Sequence, residues 1–184
     1  NTLHAEFAIR AAQAGVDVLT EKPMATSIAD CERMIAAAQR GGVKLMVAYR
    51  LHFEKTNLKA LELVRAGKIG EPRFFTASFS MQVAEGNSRT KRELGGGSLG
   101  DLGIYCINAA RMLFGDEPEE VFGISTHRGA RFREVDEMHT AVMRFPNERT
   151  ATFTSSFGAA NSSTFCIVGT KGSITLDPAF EETG

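Results

Sequence analysis

The sequence has no tryptophan, and only two tyrosines, three cysteines and five prolines among its 184 residues. Cys31, Cys106 and Cys166, an odd number at wide spacing, exclude a disulfide framework and fit reduced, mostly buried thiols. The four histidines (His4, His52, His127, His139) share no metal-ligand spacing with those cysteines or with one another, so no metal centre is expected. Excess charge of one sign is also lacking, with 21 basic side chains against 22 acidic ones and a net charge of −1. Proteins held mainly by phosphate contacts carry a basic surplus, so nucleic acid is not an expected partner. No apolar run approaches the ~18 residues of a membrane helix, which removes a membrane role. An initiator methionine is missing as well. The chain begins Asn1-Thr2-Leu3-His4 and enters helical sequence almost at once, as a processed protein or a piece of something larger would. A cytoplasmic location is expected, with a periplasmic one left open because the true N-terminus is not visible.

What is present is ordinary globular sequence, 43% hydrophobic and 23% charged. Its first third alternates helix and strand signals. Residues 5–14 are alanine-rich and stop at Gly15, and 16–19 read as a short buried strand. Residues 27–41 carry Ile28, Cys31, Met34, Ile35 and Ala38 at helical spacing, with Ser27 and Asp30 as a capping box. Residues 44–49 are strand-like again. Helix and strand in alternation with short connections imply a parallel sheet, and this stretch reads as its second half.

Beyond Gly67 the period changes to two. Residues 73–83 set Phe75, Ala77, Phe79 and Met81 against Thr76, Ser78, Ser80 and Gln82. Similar runs follow at 120–127, 137–145, 149–157, 163–169 and 173–176, with a single helix expected over 99–114. The fold expected is therefore α/β followed by α+β: the trailing part of a Rossmann-type parallel sheet, then an open, mostly antiparallel sheet with a packed helix. Residues 1–49 form the first part and 50–184 the second. A hydroxyl-rich face (Thr76, Ser78, Ser80, Thr152, Thr154, Ser156) is expected to meet water or another subunit.

Few residues stand where chemistry needs them. Glu21-Lys22-Pro23 directly follows the strand at 16–19, at the sheet edge where open α/β folds bind ligands. Proline restricts Lys22 to extended backbone and permits a cis bond, which would aim the ammonium; a solvated surface turn is the alternative. Residues 95–100 spell G-x-G-x-x-G, but Arg89 to Leu94 before them are no strand, so this is not a pyrophosphate loop. The glycines there allow a tight turn and close approach of a ligand. Asp101 and Tyr105, four apart, share a helix face and pair a carboxylate with a phenol. Equally, Ser98 and Asp101 spell a capping box, with Tyr105 an ordinary half-buried aromatic. His52 stands near Arg50 in a loop where it could touch substrate, and the charged run Arg89-Lys91-Arg92-Glu93 reads as a solvated loop, with a place near cofactor phosphates the alternative.

Taken in order, N-x-x-H at Asn1 and His4, V-L-T-E-K-P, Tyr49-Arg50, I-G-E-P and G-G-G-S-L-G-D-L-G-I-Y resemble the Gfo/Idh/MocA oxidoreductase family. Tyr105 and Asn108 depart from the commoner histidine and aspartate, and this is similar to the glucose–fructose oxidoreductase branch. The resemblance implies an enzyme moving hydride between NADP or NAD, with NADP favoured, and a sugar or sugar-like hydroxyl or carbonyl. It implies Lys22, Tyr105 and Asp101 as catalytic residues, with Tyr105 the proton donor or acceptor. Asn1, His4, Glu21, Lys22 and Pro23 would line the nicotinamide end of the cofactor site, and Arg50 and Asp101 would meet a small sugar substrate. A homo-dimer or homo-tetramer through the open sheet face is implied. A different class remains: a non-catalytic oligomerisation or binding module using that face. The glycine fingerprint that cradles a dinucleotide is absent from these residues, so the chain alone is expected to be inactive.

Overall fold

A computed structural model describes residues 1–181. Helix α1 (His4–Gln13) leads into strand β1 (Val18–Thr20), helix α2 (Ile28–Gly41) and strand β2 (Leu45–Val47). The two strands pair in parallel, Val18 opposite Leu45 and Thr20 opposite Val47, so both point their C-terminal ends the same way. The capping box expected at α2 is formed: Ser27 Oγ accepts from the Asp30 amide, and Gly42 closes the helix in left-handed backbone at φ 62°.

The larger layer is six strands: β3 (Pro72–Ser80), β4 (Glu120–Thr126), β5 (Met138–Phe145), β6 (Arg149–Ser156), β7 (Ser162–Gly169) and β8 (Ser173–Leu176). Their order is β4-β5-β6-β3-β7-β8, antiparallel except for the central β3–β6 pair. Helix α4 (Ile104–Phe114) lies on one face of this sheet. Its buried Cys106, Ala109 and Ala110 are small, and the sheet answers with Phe75, Phe145, Phe153 and Phe165, a large-on-small core. Of the three cysteines, all free, only Cys106 is buried, fewer than composition indicated. Burial pushes its thiol far up, so it stays protonated.

Two features depart from the sequence reading. Helix α3 (Lys55–Arg65) was not expected. Its inward stripe begins at the fully buried Asn57 before continuing through Ala60 and Val64, and the polar first member hides the helical period. The helix expected over 99–114 is split: Leu99–Gly103 form a π-turn, and regular α-helix begins only at Ile104. Gly103 lets this turn sit on the sheet, since a Cβ there would meet Phe153 and Ser155 Oγ at 3.2 Å.

Among the described residues, no helix covers the far face of the sheet. Phe122 and Ile124 of β4, Val142 of β5 and Phe74 and Thr76 of β3 are exposed on it, among half-buried Ser78, Thr152 and Thr154. Ser80 and Ser156 are instead buried; Ser80 Oγ donates to the Ala160 carbonyl, and the amides of Gly158 and Ala159 donate to Ser156 Oγ. Among the described residues no helix is long and apolar enough to cross a membrane.

Candidate active site

Lys22 leaves the C-terminal end of β1 on a cis Lys22–Pro23 peptide. From there its ammonium reaches across to the π-turn, donating to Asp101 Oδ1 at 2.7 Å and to the Asp101 carbonyl at 2.9 Å. The same nitrogen stands 4.8 Å from the centre of the Tyr105 ring, over its face. Residues 79 positions apart thus meet in one contact, and both side chains of the ion pair are largely shielded, 14% and 19% exposed. The capping-box reading of Ser98 fails: no side-chain cap forms, and Ser98 Oγ donates to the Ser155 carbonyl at 3.4 Å.

Asp101 has a second cation, which the sequence did not single out. Arg89 Nε donates to Asp101 Oδ2 at 2.6 Å. Burial by itself would push this carboxyl up; hydrogen bonds and charge from Lys22, and then from Arg89, overcome it and hold Asp101 below the ordinary carboxylate range. It is therefore an ionised acceptor at neutral pH. A different fate meets Tyr49, the other tyrosine, whose phenol burial pushes up against the opposing pull of Asn108 and Arg111, keeping it protonated.

Tyr105 opens the first turn of α4, its ring edge-on to Phe79 at 5.5 Å and tilted against Phe180 at 6.3 Å. The Arg50 guanidinium lies 5.8 Å from the same ring. Arg50 itself is bonded to Glu54 and to the Phe180 carbonyl, so it ties the start of α3 to the segment after β8. His52 lies elsewhere, lining a separate hollow with Asn108 and Arg111.

Beside Asp101 opens a cleft of about 510 Å³, lined by Asn1 to His4, Ser88, Arg89, Leu94 to Gly97 and Asp101. Asn1 Nδ2 donates to the Gly95 carbonyl at 2.9 Å. His4 Nδ1 is 2.8 Å from the Pro23 carbonyl, which only accepts, so Nδ1 carries the proton and Nε2 is the acceptor of the neutral ring. Glu21 turns back, its Oε2 accepting from the Lys22 amide at 3.1 Å. The amide of Asn1 and the imidazole of His4 thus line the cleft facing the backbone of Gly95 to Gly97, while Lys22 and Glu21 lie outside its lining. The run before the glycines folds as two short 3₁₀ turns, Ser88–Thr90 and Arg92–Leu94, so no strand leads directly into them.

Residues 57–175 match the family model of the GFO/IDH/MocA C-terminal domain, and residues 1–49 that of an oxidoreductase family with an NAD-binding Rossmann fold. The chain belongs to the Gfo/Idh/MocA oxidoreductase family. Among solved structures, the aldose-aldose oxidoreductase of Caulobacter crescentus, complexed with glycerol, superposes with a TM-score of 0.96 at 40% identity, over 100% of this chain and 56% of that one. Levoglucosan dehydrogenase, complexed with NADH and levoglucosan, gives a TM-score of 0.87 at 28% identity, covering 96% of this chain and 51% of the other. Among curated proteins, an NADP(+) D-xylose 1-dehydrogenase of Haloarcula marismortui is 33% identical over 98% of this chain and 52% of its own length. An oxidoreductase of Rhizobium meliloti is 36% identical over 100% and 54%. This Gfo/Idh/MocA chain spans about half the length of the curated relatives it matches.

Proposed function

We propose that the chain is part of an NAD(P)-dependent oxidoreductase moving hydride between a nicotinamide and a sugar hydroxyl or carbonyl. The observation that carries this is the single ammonium of Lys22 joining the Asp101 carboxylate to the face of Tyr105. A bound nicotinamide supplies the carbon that gives or takes the hydride. This chain's residues do the rest. Asn1, His4, Glu21, Lys22 and Pro23 hold the nicotinamide end, with the family supporting NADP and NAD alike. Ionised Asp101 accepts a hydrogen bond from a sugar hydroxyl and fixes the reacting carbon's approach. Tyr105 Oη takes the alcohol proton as the carbonyl forms and returns it in the reverse direction. Lys22 steadies the negative charge that gathers on that oxygen. Arg50 shapes the substrate side of the Tyr105 ring. We place the division between nucleotide-binding and substrate parts at residues 1–49 and 50–184, the last three of which lie outside the described residues.

The test is an initial-rate survey on the full-length protein, pairing NADP and NAD with D-xylose, D-glucose and other aldoses. Aldose-dependent change in nicotinamide absorbance is expected. Absence of turnover with every pair, in protein that binds either dinucleotide, would overturn the reading.

We further propose that two copies meet through the helix-free sheet face, as a homo-dimer or half of a tetramer. Exposed Phe122, Ile124, Val142 and Phe74 on one side of a sheet favour a covered face. Cys166 lies on that face, opposite Thr76 of β3 and Thr175 of β8, whereas Cys31 lies on α2. A thiol reagent should modify Cys31 readily and Cys166 more slowly as protein concentration rises. Concentration-independent modification of Cys166 would show the face to be bare.

A further inference from the structure

Arg89 belongs to a charged run whose other members turn elsewhere: Lys91 and Arg92 bond to Glu134, on the loop before β5. Arg89 alone of the three points into the cleft, and its backbone is held firmly there. Asn87 Oδ1 accepts from its amide at 2.9 Å, and the Gly97 amide donates to its carbonyl at 3.0 Å. Gly96 is pressed against that carbonyl so closely that a Cβ would sit 2.4 Å from the oxygen. The glycine run is thereby accounted for: it lets the loop fold flat behind Arg89.

We propose that Arg89 is a positioning residue of the site, holding the Asp101 carboxylate by the oxygen that Lys22 leaves free and so fixing how Asp101 meets substrate hydroxyls. The proposal rests on the oxidoreductase reading given above and adds a member to it. Lys22 has two tasks, Asp101 on one side and the Tyr105 ring on the other, at 2.7 Å and 4.8 Å. A carboxylate held by that ammonium alone could rotate about it. With Arg89 Nε on Oδ2, both oxygens are fixed and each keeps a lone pair directed away from its cation. Among the described residues the two terminal nitrogens of Arg89 find no hydrogen-bond partner, so its remaining donors face the cleft.

Charged and titratable groups around Asp101 come from every packed element: Lys22 and Glu21 after β1, His4 at the start of α1, Arg89 in the loop after β3, Tyr105 of α4, and the Arg50–Glu54 pair across its ring. Among the described residues, only Lys22 and Arg89 bond to the carboxylate. Removing Arg89 takes away one of two groups that offset burial, so Asp101 must protonate at higher pH. The acid limb of kcat/KM then moves upward in pH.

In the full-length protein with D-xylose and NADP, Arg89→Gln should lose about tenfold or more in kcat/KM at mildly acidic pH and markedly less at alkaline pH. Arg89→Lys should recover part of that loss. In the 184-residue chain, the carboxyl carbon resonance of Asp101 should titrate at higher pH in Arg89→Gln than in the parent. Should Arg89→Gln fail to fold, the Arg89→Lys profile decides, because it keeps the charge without the planar fork. An unchanged profile shape together with an unshifted Asp101 resonance overturns the proposal. Asp101→Asn, run in parallel, separates the two levels. If it retains parental turnover, the site reading itself fails; if it is inactive while the Arg89 variants keep the parental profile, only the role of Arg89 does.

Discussion

Replacing Tyr105 with phenylalanine in the full-length protein should lower kcat by about 10²- to 10⁴-fold, the usual share of a positioned proton donor. The substitution removes one oxygen and keeps the ring. That ring is held by Phe79 at 5.5 Å and Phe180 at 6.3 Å, with the Lys22 ammonium 4.8 Å from its centre, and none of these contacts involves the hydroxyl. Stability and dinucleotide affinity should therefore stay near the parental values while turnover collapses. Lys22→Ala should cost at least as much in kcat and raise KM as well. It strips Asp101 of its 2.7 Å partner, leaves Arg89 as the remaining cation, and exposes the tyrosine face. Initial rates of aldose-dependent NADP reduction, with dinucleotide binding followed by fluorescence, separate the two variants. Turnover of Tyr105→Phe within threefold of the parent would place the proton on another group.

Much of this arrangement is legible in the sequence, for physical reasons that differ by element. Strands β3 to β8 announce themselves by a period of two, because one face of their sheet meets α4 and the other does not. Helix α2 carries its start and stop signals in local sequence, Ser27 and Gly42. Lys22 was visible as a lysine just past a strand and before a proline, and Asp101 with Tyr105 as a pair four residues apart. Local rules then misled at Ser98. The S-x-x-D spacing there specifies a cap, yet Asp101 is drawn to cations 79 and 12 residues away and Ser98 turns to a β6 carbonyl. Tertiary electrostatics outweighs a cap worth about 1 kcal/mol. Arg89 was hidden for the same reason. A charged loop residue carries no periodic mark, and what sets it apart from Lys91 and Arg92 is the path of a loop pinned by Gly96 and Gly97.

Phe180 is the second such residue, and its loss should have the largest effect on stability. The ring is fully buried, 5.2 Å from Phe79, 6.0 Å from Phe165 and 6.3 Å from Tyr105. Its backbone is bound from three sides: the amide donates to Ser163 Oγ at 2.9 Å, the carbonyl accepts from Arg50, and the neighbouring Ala179 carbonyl accepts from the buried Asn57 at 3.1 Å. Phe180→Ala should cost about 3–5 kcal/mol, the range for emptying a closed aromatic site, and lower Tm by roughly 6–20 °C for a chain of this size. Phe180→Leu should recover most of that loss by refilling the volume. Thermal melts of the 184-residue chain measure both. Turnover supplies the other half of the argument. With the Phe180 ring gone, Tyr105 keeps Phe79 but loses the wall beneath it, so kcat should fall further than folded-state occupancy explains at temperatures well below the melt. A Phe180→Ala protein that melts with the parent would mean that the segment after β8 is no part of the core, and that Tyr105 is held by Phe79 and its two cations alone.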